Sequence, residues 1–224
     1  AVRPVRGALL DVDGTLVDSN DAHARAWVEA LAERGIRVPR EEVRRLIGMG
    51  GDKLLPAVAD YADGSPEAEA VSARRGEIFR ARYLPRLAPF PEARALVAHL
   101  RGRGLTLVVA TSAKRDELDA LLKIAGVADL LDGATSADDV ARSKPDPDIV
   151  QAAVVRSGLD AGELVMIGDT PYDVEATTRA DVRAVAFRCG GWDDRALAGA
   201  AAVYDGPADL LARFDRSIFA TAGR

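Results

Sequence analysis

Sulfur and imidazole are scarce in this chain. A single cysteine, Cys189, among 224 residues excludes an internal disulfide and a multi-cysteine zinc site. Two isolated histidines, His23 and His99, provide no histidine-rich metal cluster, so any bound metal is expected to have oxygen ligands. Blocks of like charge are also missing. The net charge of -5 comes from interspersed acids and bases, without the clustered Lys and Arg of a nucleic-acid footprint, so no nucleic acid is expected as a partner. No apolar run approaches the roughly 20 residues of a membrane span, and the basic residues near the start have no long apolar segment behind them. No membrane partner is therefore expected, and the expected location is cytoplasmic. What the chain does have is 48% hydrophobic residues, enough for a substantial core in one large domain or one domain with an insertion.

Apolar runs alternate with helical stretches. Residues 5–12, 105–110, 164–167 and 184–187 read as short buried strands, and the last three each follow a helical segment. That alternation produces a parallel sheet covered by helices. Pro91 opens a helix to Leu100, Gly126 closes one over residues 114–125 that presents Leu118, Leu121 and Leu122, and Pro147 and Gly158 bracket another. About ninety residues separate the first strand from the second, far more than a crossover of about 4–6 loop residues and one helix of about 12. From Asp21 to about Leu87 the apolar positions keep a helical period, with Trp27, Val28 and Leu31 before Gly35 and Ile78, Phe79 and Tyr83 after Ser65-Pro66. Residues 18–89 are thus expected to form an inserted helical cap, and residues 1–17 and 90–224 an α/β core.

Open sheets of this kind bind ligands beyond the carboxyl ends of their strands, and Asp11, Thr111 and Asp169 stand at or just past the ends of three of these runs. In Asp11-Val12-Asp13-Gly14-Thr15, an extended chain puts both carboxylates on one face. One could attack phosphorus while the other protonates the leaving alkoxide and then deprotonates water. Gly168-Asp169-Thr170-Pro171-Tyr172-Asp173 spaces two acids by four, which is expected to set them on one side of a starting helix. With Asp11 they make an acidic cluster suited to a hard ion such as Mg2+. Thr111-Ser112 precedes a helix whose N–H groups and hydroxyls suit phosphate oxygens. Lys144, in a loop stiffened by Pro145 and Pro147, could hold an ammonium against a dianion. Each motif taken alone also has an ordinary reading as a strand-exit turn, a helix cap or a solvated lysine.

In this order, Asp-x-Asp-Gly-Thr, Thr-Ser, Lys-Pro and Gly-Asp-x-x-x-Asp resemble the four signature motifs of haloacid dehalogenase-like (HAD) phosphatases over almost the whole chain. The insertion after the first motif resembles the type I (C1) cap of phosphoglycolate phosphatase-like and beta-phosphoglucomutase-like members. The resemblance implies a Rossmann-like parallel sheet with helices on both faces plus an all-helical cap. It also implies Mg2+-dependent hydrolysis of a small phosphorylated metabolite, phosphoglycolate or a sugar phosphate, through an aspartyl-phosphate. By the same resemblance Asp11 would be the nucleophile and a metal ligand, and Asp13 the general acid and base, binding the metal through its backbone carbonyl. Thr111 and Lys144 would grip phosphoryl oxygens with Ser112 close by. Asp169 would ligate the metal directly, and Asp173 through water or by orienting its neighbours. The acid at position 13 separates the chain from dehalogenating relatives, which lack it.

Residues 18–27 resemble the hinge and first cap helix of beta-phosphoglucomutase-like members, including His23, which is either a residue facing the site or a polar helix residue near the domain joint. Ile47-Gly48-Met49-Gly50-Gly51-Asp52-Lys53 is the candidate for substrate selection, with Gly50 and Lys53 as its binding candidates; a plain helix connector is the alternative. It has glycine where mutases carry an arginine for a second phosphate, which favours hydrolysis over a phosphosugar mutase. A non-catalytic phosphate-binding module is the remaining alternative, and its usual sign, a lost nucleophile or metal acid, is absent here. The sequence specifies neither the substrate nor the oligomeric state.

Overall fold

Aliphatic runs with no polar interruption form the centre of a sheet. The computed structural model describes residues 3–221; residues 1–2 and 222–224, assigned above to the core, lie outside the described residues. In chain order the elements are β1 (Gly7–Leu10), α1 (Asn20–Ala32), α2 (Arg40–Arg44), α3 (Gly51–Val58), α4 (Pro66–Ile78), α5 (Ala93–Gly102), β2 (Thr106–Ala110), α6 (Arg115–Ala125), β3 (Gly133–Thr135), α7 (Asp148–Ser157), β4 (Leu164–Gly168), α8 (Pro171–Arg179), β5 (Arg183–Phe187), β6 (Ala202–Tyr204) and α9 (Pro207–Ala212). Among the described residues no helix is long and apolar enough to cross a membrane.

Among the described residues the six strands are all parallel, in the order β3-β2-β1-β4-β5-β6. In the centre, Leu9 is in register with Val108 on one side and Met166 on the other. Leu9, Val108, Ala110, Leu164 and Met166 pack with Ile149, Val150 and Ala153 of α7 and Ala176 of α8. The alternate positions, Ala8, Leu10, Leu107, Val109, Val165 and Ile167, are equally buried. Burial of both faces is what a helix-covered parallel sheet requires, and each fully buried Val, Leu or Ile contributes about 1.5–3 kcal/mol.

Two boundaries and two short strands differ from expectation for identifiable reasons. The first strand was expected over 5–12 but stops at Leu10, because the chain then turns: Gly14, at φ 72, donates its N–H to the Val17 carbonyl. The helix expected from Pro91 begins at Ala93, because Glu92 takes a left-handed conformation at φ 63. Strands β3 and β6 were not expected at all; they have three residues each and lie at the two edges of the sheet. Elsewhere the punctuation acts as expected, with Gly126 and Gly158 in left-handed conformations ending α6 and α7.

By contacts the chain divides into two compact units, Ser19–Leu87 and the remainder on either side of it. Within Ser19–Leu87, α1 packs on α2 and α4 around Trp27, Leu31, Val43, Val71 and Phe79. Ser65 caps α4 by accepting the Ala68 N–H, with Pro66 at the first helical position.

Candidate active site

The polar residues at issue follow the carboxyl ends of three neighbouring central strands of the sheet. Asp11 continues the ladder of β1 by donating its N–H to the Ile167 carbonyl at 3.0 Å, and Thr111 does the same after β2 toward the Thr135 carbonyl at 3.2 Å. Asp169 follows β4 directly. Strands β1 and β4 flank the point where the strand order reverses, the place where such sheets open a crevice for ligands.

Lys144 joins these strand ends. It is 1% exposed, and its Nζ lies 3.1 Å from Asp11 Oδ1, 2.7 Å from Asp173 Oδ1 and 2.9 Å from the Ala110 carbonyl, just before Thr111. The ammonium donates hydrogen bonds to Asp11 Oδ1 and the Ala110 carbonyl and forms an ion pair with Asp173. Burial pulls Lys144 toward losing its proton, but the charges of Asp11 and Asp173 together outweigh it and hold the ammonium above its ordinary range. For Asp11 the balance goes the other way. Burial, reinforced by the charge of Asp173, exceeds the pull of Lys144 and raises the carboxyl from 3.8 to about 6.

Asp11, Asp169 and Asp173 are all buried, and each offers an oxygen within 4.8 Å of the others. The Thr15 hydroxyl links two of them, 3.2 Å from Asp11 Oδ2 and 3.0 Å from Asp169 Oδ1. Three carboxylates against one ammonium leave negative charge in excess in a place where charge is costly to bury. A divalent cation with oxygen ligands suits both that excess and this donor set.

The acids do not all arrive as expected. Asp169 is not on the helix: it lies ahead of the cap residue Thr170, and Pro171 fixes the first helical position. It meets Asp173 because the cap turn folds back. Asp173 Oδ2 accepts the N–H groups of Asp169 and Thr170, both at 3.1 Å, while Thr170 Oγ1 accepts the Asp173 N–H at 3.2 Å. The capping and site readings of Asp173 therefore hold together, one oxygen for the cap and the other for Lys144. Asp13 does not share an extended face with Asp11, because the strand has already ended. It is half-buried in the turn, and its carboxylate is not one of the three convergent acids.

Thr111 is buried, and its Oγ1 accepts the Ala113 N–H at 3.0 Å. The Ser112 hydroxyl is buried with no hydrogen-bond partner, a costly state unless a ligand satisfies it. His23, Gly50 and Lys53 belong to the other unit. His23 stacks on Phe79 with ring centroids 4.1 Å apart, Gly50 caps α3 and Lys53 lies in its first turn.

Several contributors to the site escape the sequence. Thr15 and Thr170 stand inside the signature motifs, yet only the fold shows which carboxylates they hold. Gly168 and Gly190 permit close approach: a Cβ at Gly168 would fall 2.6 Å from Asp173 Oδ2, and one at Gly190 would fall 1.9 Å from Asp169 Oδ2. Beside it the Cys189 thiol lies 3.4 Å from the Gly14 carbonyl, and burial with the nearby Asp169 charge pushes it up to about 12. It is a packed thiol rather than a nucleophile.

Comparison with known proteins gives the family of the chain. The chain is 34% identical over 188 residues to the chloroplastic protein SUPPRESSOR OF QUENCHING 1 of Arabidopsis thaliana, covering 82% of this chain but spanning only 18% of that protein's length. It is 33% identical over 216 residues to a phosphoglycolate phosphatase of Rhodospirillum rubrum, covering 92% of this chain and 89% of the relative. The crystal structure of a hydrolase from Pseudomonas syringae superposes with a TM-score of 0.88 at 31% identity, covering 94% of this chain and 98% of the other. The family model for haloacid dehalogenase-like hydrolases matches residues 5–181, and the chain belongs to that family.

Proposed function

We propose that the protein is a Mg2+-dependent phosphatase that hydrolyses a small phosphomonoester through an aspartyl-phosphate on Asp11. The observation that carries this reading is the buried Lys144 ammonium between Asp11 and Asp173, with Asp169 completing the acid cluster. The relative named as a phosphoglycolate phosphatase supports a small phosphorylated metabolite as substrate.

In the first step an Asp11 oxygen bonds to phosphorus as the bond to the leaving oxygen breaks, and Asp13 gives that oxygen its proton. In the second step Asp13 takes a proton from water, the water oxygen bonds to phosphorus, and inorganic phosphate leaves as Asp11 is freed. With its carboxyl raised only to about 6, Asp11 is anionic at neutral pH. Lys144, Thr111 and the unsatisfied Ser112 hydroxyl hold the phosphoryl oxygens. Asp11, Asp169 and the backbone carbonyl of Asp13 are the residues assigned to Mg2+, with Asp173 orienting Lys144; the ion supplies positive charge that lets an anionic carboxylate approach an anionic phosphate. His23, Gly50 and Lys53 are assigned an influence on which phosphomonoester is accepted. A cytoplasmic location, with neither nucleic acid nor membrane as partner, belongs to the same reading.

A panel of phosphorylated metabolites tests it. Steady phosphate release with Mg2+, abolished by EDTA and by Asp11→Asn, is expected. No release from any member of the panel, or a fully active Asp11→Asn protein, contradicts it.

A further inference from the structure

Helix α8 holds the Lys144 loop at two levels. At its first turn Asp173 pairs with the Lys144 ammonium at 2.7 Å. At its last residue Arg179 donates through Nη1 to the Pro145 carbonyl at 3.2 Å and sets Nη2 3.0 Å from Asp146 Oδ1. The two grips are about 9 Å apart along the helix axis at about 1.5 Å per residue, and they act on three consecutive residues of the loop.

Asp146 makes the second grip more than a surface contact. It is 7% exposed, and its Oδ1 also lies 3.7 Å from Arg142, which pairs with Asp148 at 3.1 Å. Its N–H donates to the Ser143 carbonyl at 3.1 Å, closing the backbone turn that carries Lys144. An exposed ion pair alone adds little, and the contact of Arg179 with Glu175 at 3.8 Å is of that kind. The fork onto a backbone carbonyl and a buried carboxylate is different, because it fixes both the position and the direction of the loop.

We propose that Arg179 is a positioning residue for Lys144, acting through the Pro145 carbonyl and Asp146, and that it sets how firmly the phosphoryl group is held. The inference rests on the proposed role of Lys144 in gripping phosphoryl oxygens. Helix α8 thereby supplies both the counter-ion of Lys144 and the brace of its loop, so its placement governs the ammonium twice.

The test is a double-mutant cycle between Arg179→Ala and Lys144→Ala, read as the affinity for inorganic phosphate by calorimetry, with kcat and KM for p-nitrophenyl phosphate measured alongside. In the Lys144 background Arg179→Ala is expected to weaken phosphate binding about fivefold; in the Lys144→Ala background it has no further effect. Arg179→Lys restores part of the loss, because one ammonium cannot reproduce the fork, and the isosteric Asp146→Asn moves affinity in the same direction as Arg179→Ala. Unchanged phosphate affinity in Arg179→Ala, or equal weakening in both backgrounds, overturns the positioning role. Wild-type protein that releases no phosphate from any phosphomonoester overturns the reading of the site and this inference with it. An active wild type with an unaltered Arg179→Ala overturns the inference alone.

Discussion

In the α/β unit, Asp11, Lys144, Asp169 and Asp173 are buried together with negative charge in excess, whereas in Ser19–Leu87 the charged side chains mostly pair at the surface. There Arg74 reaches Glu33 at 2.8 Å and Glu77 at 2.9 Å, and Arg25 and Arg40 each meet Asp21 at 2.8 Å, all of them well exposed. Two buried side chains of that unit that can carry charge lie against rings instead: Arg75 over Trp27 at 5.2 Å, and His23 stacked on Phe79. Folding alone gives no reason to bury unbalanced carboxylates, so the contrast marks the α/β unit as the place of the proposed chemistry independently of any motif.

The contrast is sharpest in turnover. Asp11→Asn is expected to lower kcat for phosphomonoester hydrolysis at least about 10³-fold, while Arg74→Ala, which removes an exposed double ion pair, leaves phosphate release within about twofold of wild type. Metal dependence follows the same division. Chelation is expected to abolish phosphate release and Mg2+ to restore it; Mg2+ is also expected to raise the melting temperature of the wild type, but not that of Asp169→Asn.

Stability should reverse the ranking of the Asp11 variant. The carboxyl of Asp11 rises on folding from 3.8 to about 6, so the native state holds that proton more tightly than the unfolded chain. Its stabilising contribution is complete below about pH 4 and is lost as pH climbs through about 6. In metal-free protein at pH 8, Asp11→Asn is therefore expected to unfold with a free energy about 1–3 kcal/mol higher than wild type, a gain that shrinks to nothing near pH 4. Denaturant melts at the two pH values measure it, and a destabilised variant at pH 8 contradicts the assigned charge balance.

The smallest effect compares two helix caps. Thr170→Ala and Ser65→Ala each remove a side-chain cap and should each cost about 1 kcal/mol. Only Thr170→Ala should also lower kcat/KM severalfold, because Thr170 helps to fix the carboxylate that orients Lys144. Equal activity in the two variants would remove Asp173 from that role.

Much of this was legible in the sequence, and what was not has physical causes. Strands β1, β2, β4 and β5 announce themselves because both faces are buried, which leaves uninterrupted aliphatic runs. Strands β3 and β6 pair on one side only, and Gly133-Ala134-Thr135 and Ala202-Val203-Tyr204 are too short to show a period. The convergence of Asp11 and Asp169 could be expected because each follows a strand end, whereas Lys144, in a loop well past β3, was tied to them by the family resemblance. Their mutual hydrogen bonds could not, because they depend on turns: Gly14 redirects the chain after β1, and Thr170 folds Asp173 back onto Asp169. Gly190 and Arg179 were invisible for a different reason. Each acts through a contact far along the chain, with Asp169 and with the Pro145-Asp146 turn, that no local pattern encodes.

Chemical trapping of the phosphorylated residue tests the central claim most directly. Protein quenched during turnover of a phosphomonoester and reduced with borohydride converts an aspartyl-phosphate to homoserine, which peptide mass spectrometry can locate. The account predicts conversion at position 11 alone, dependent on Mg2+ and on substrate. Conversion at another aspartate, or active turnover with no converted residue, would contradict it.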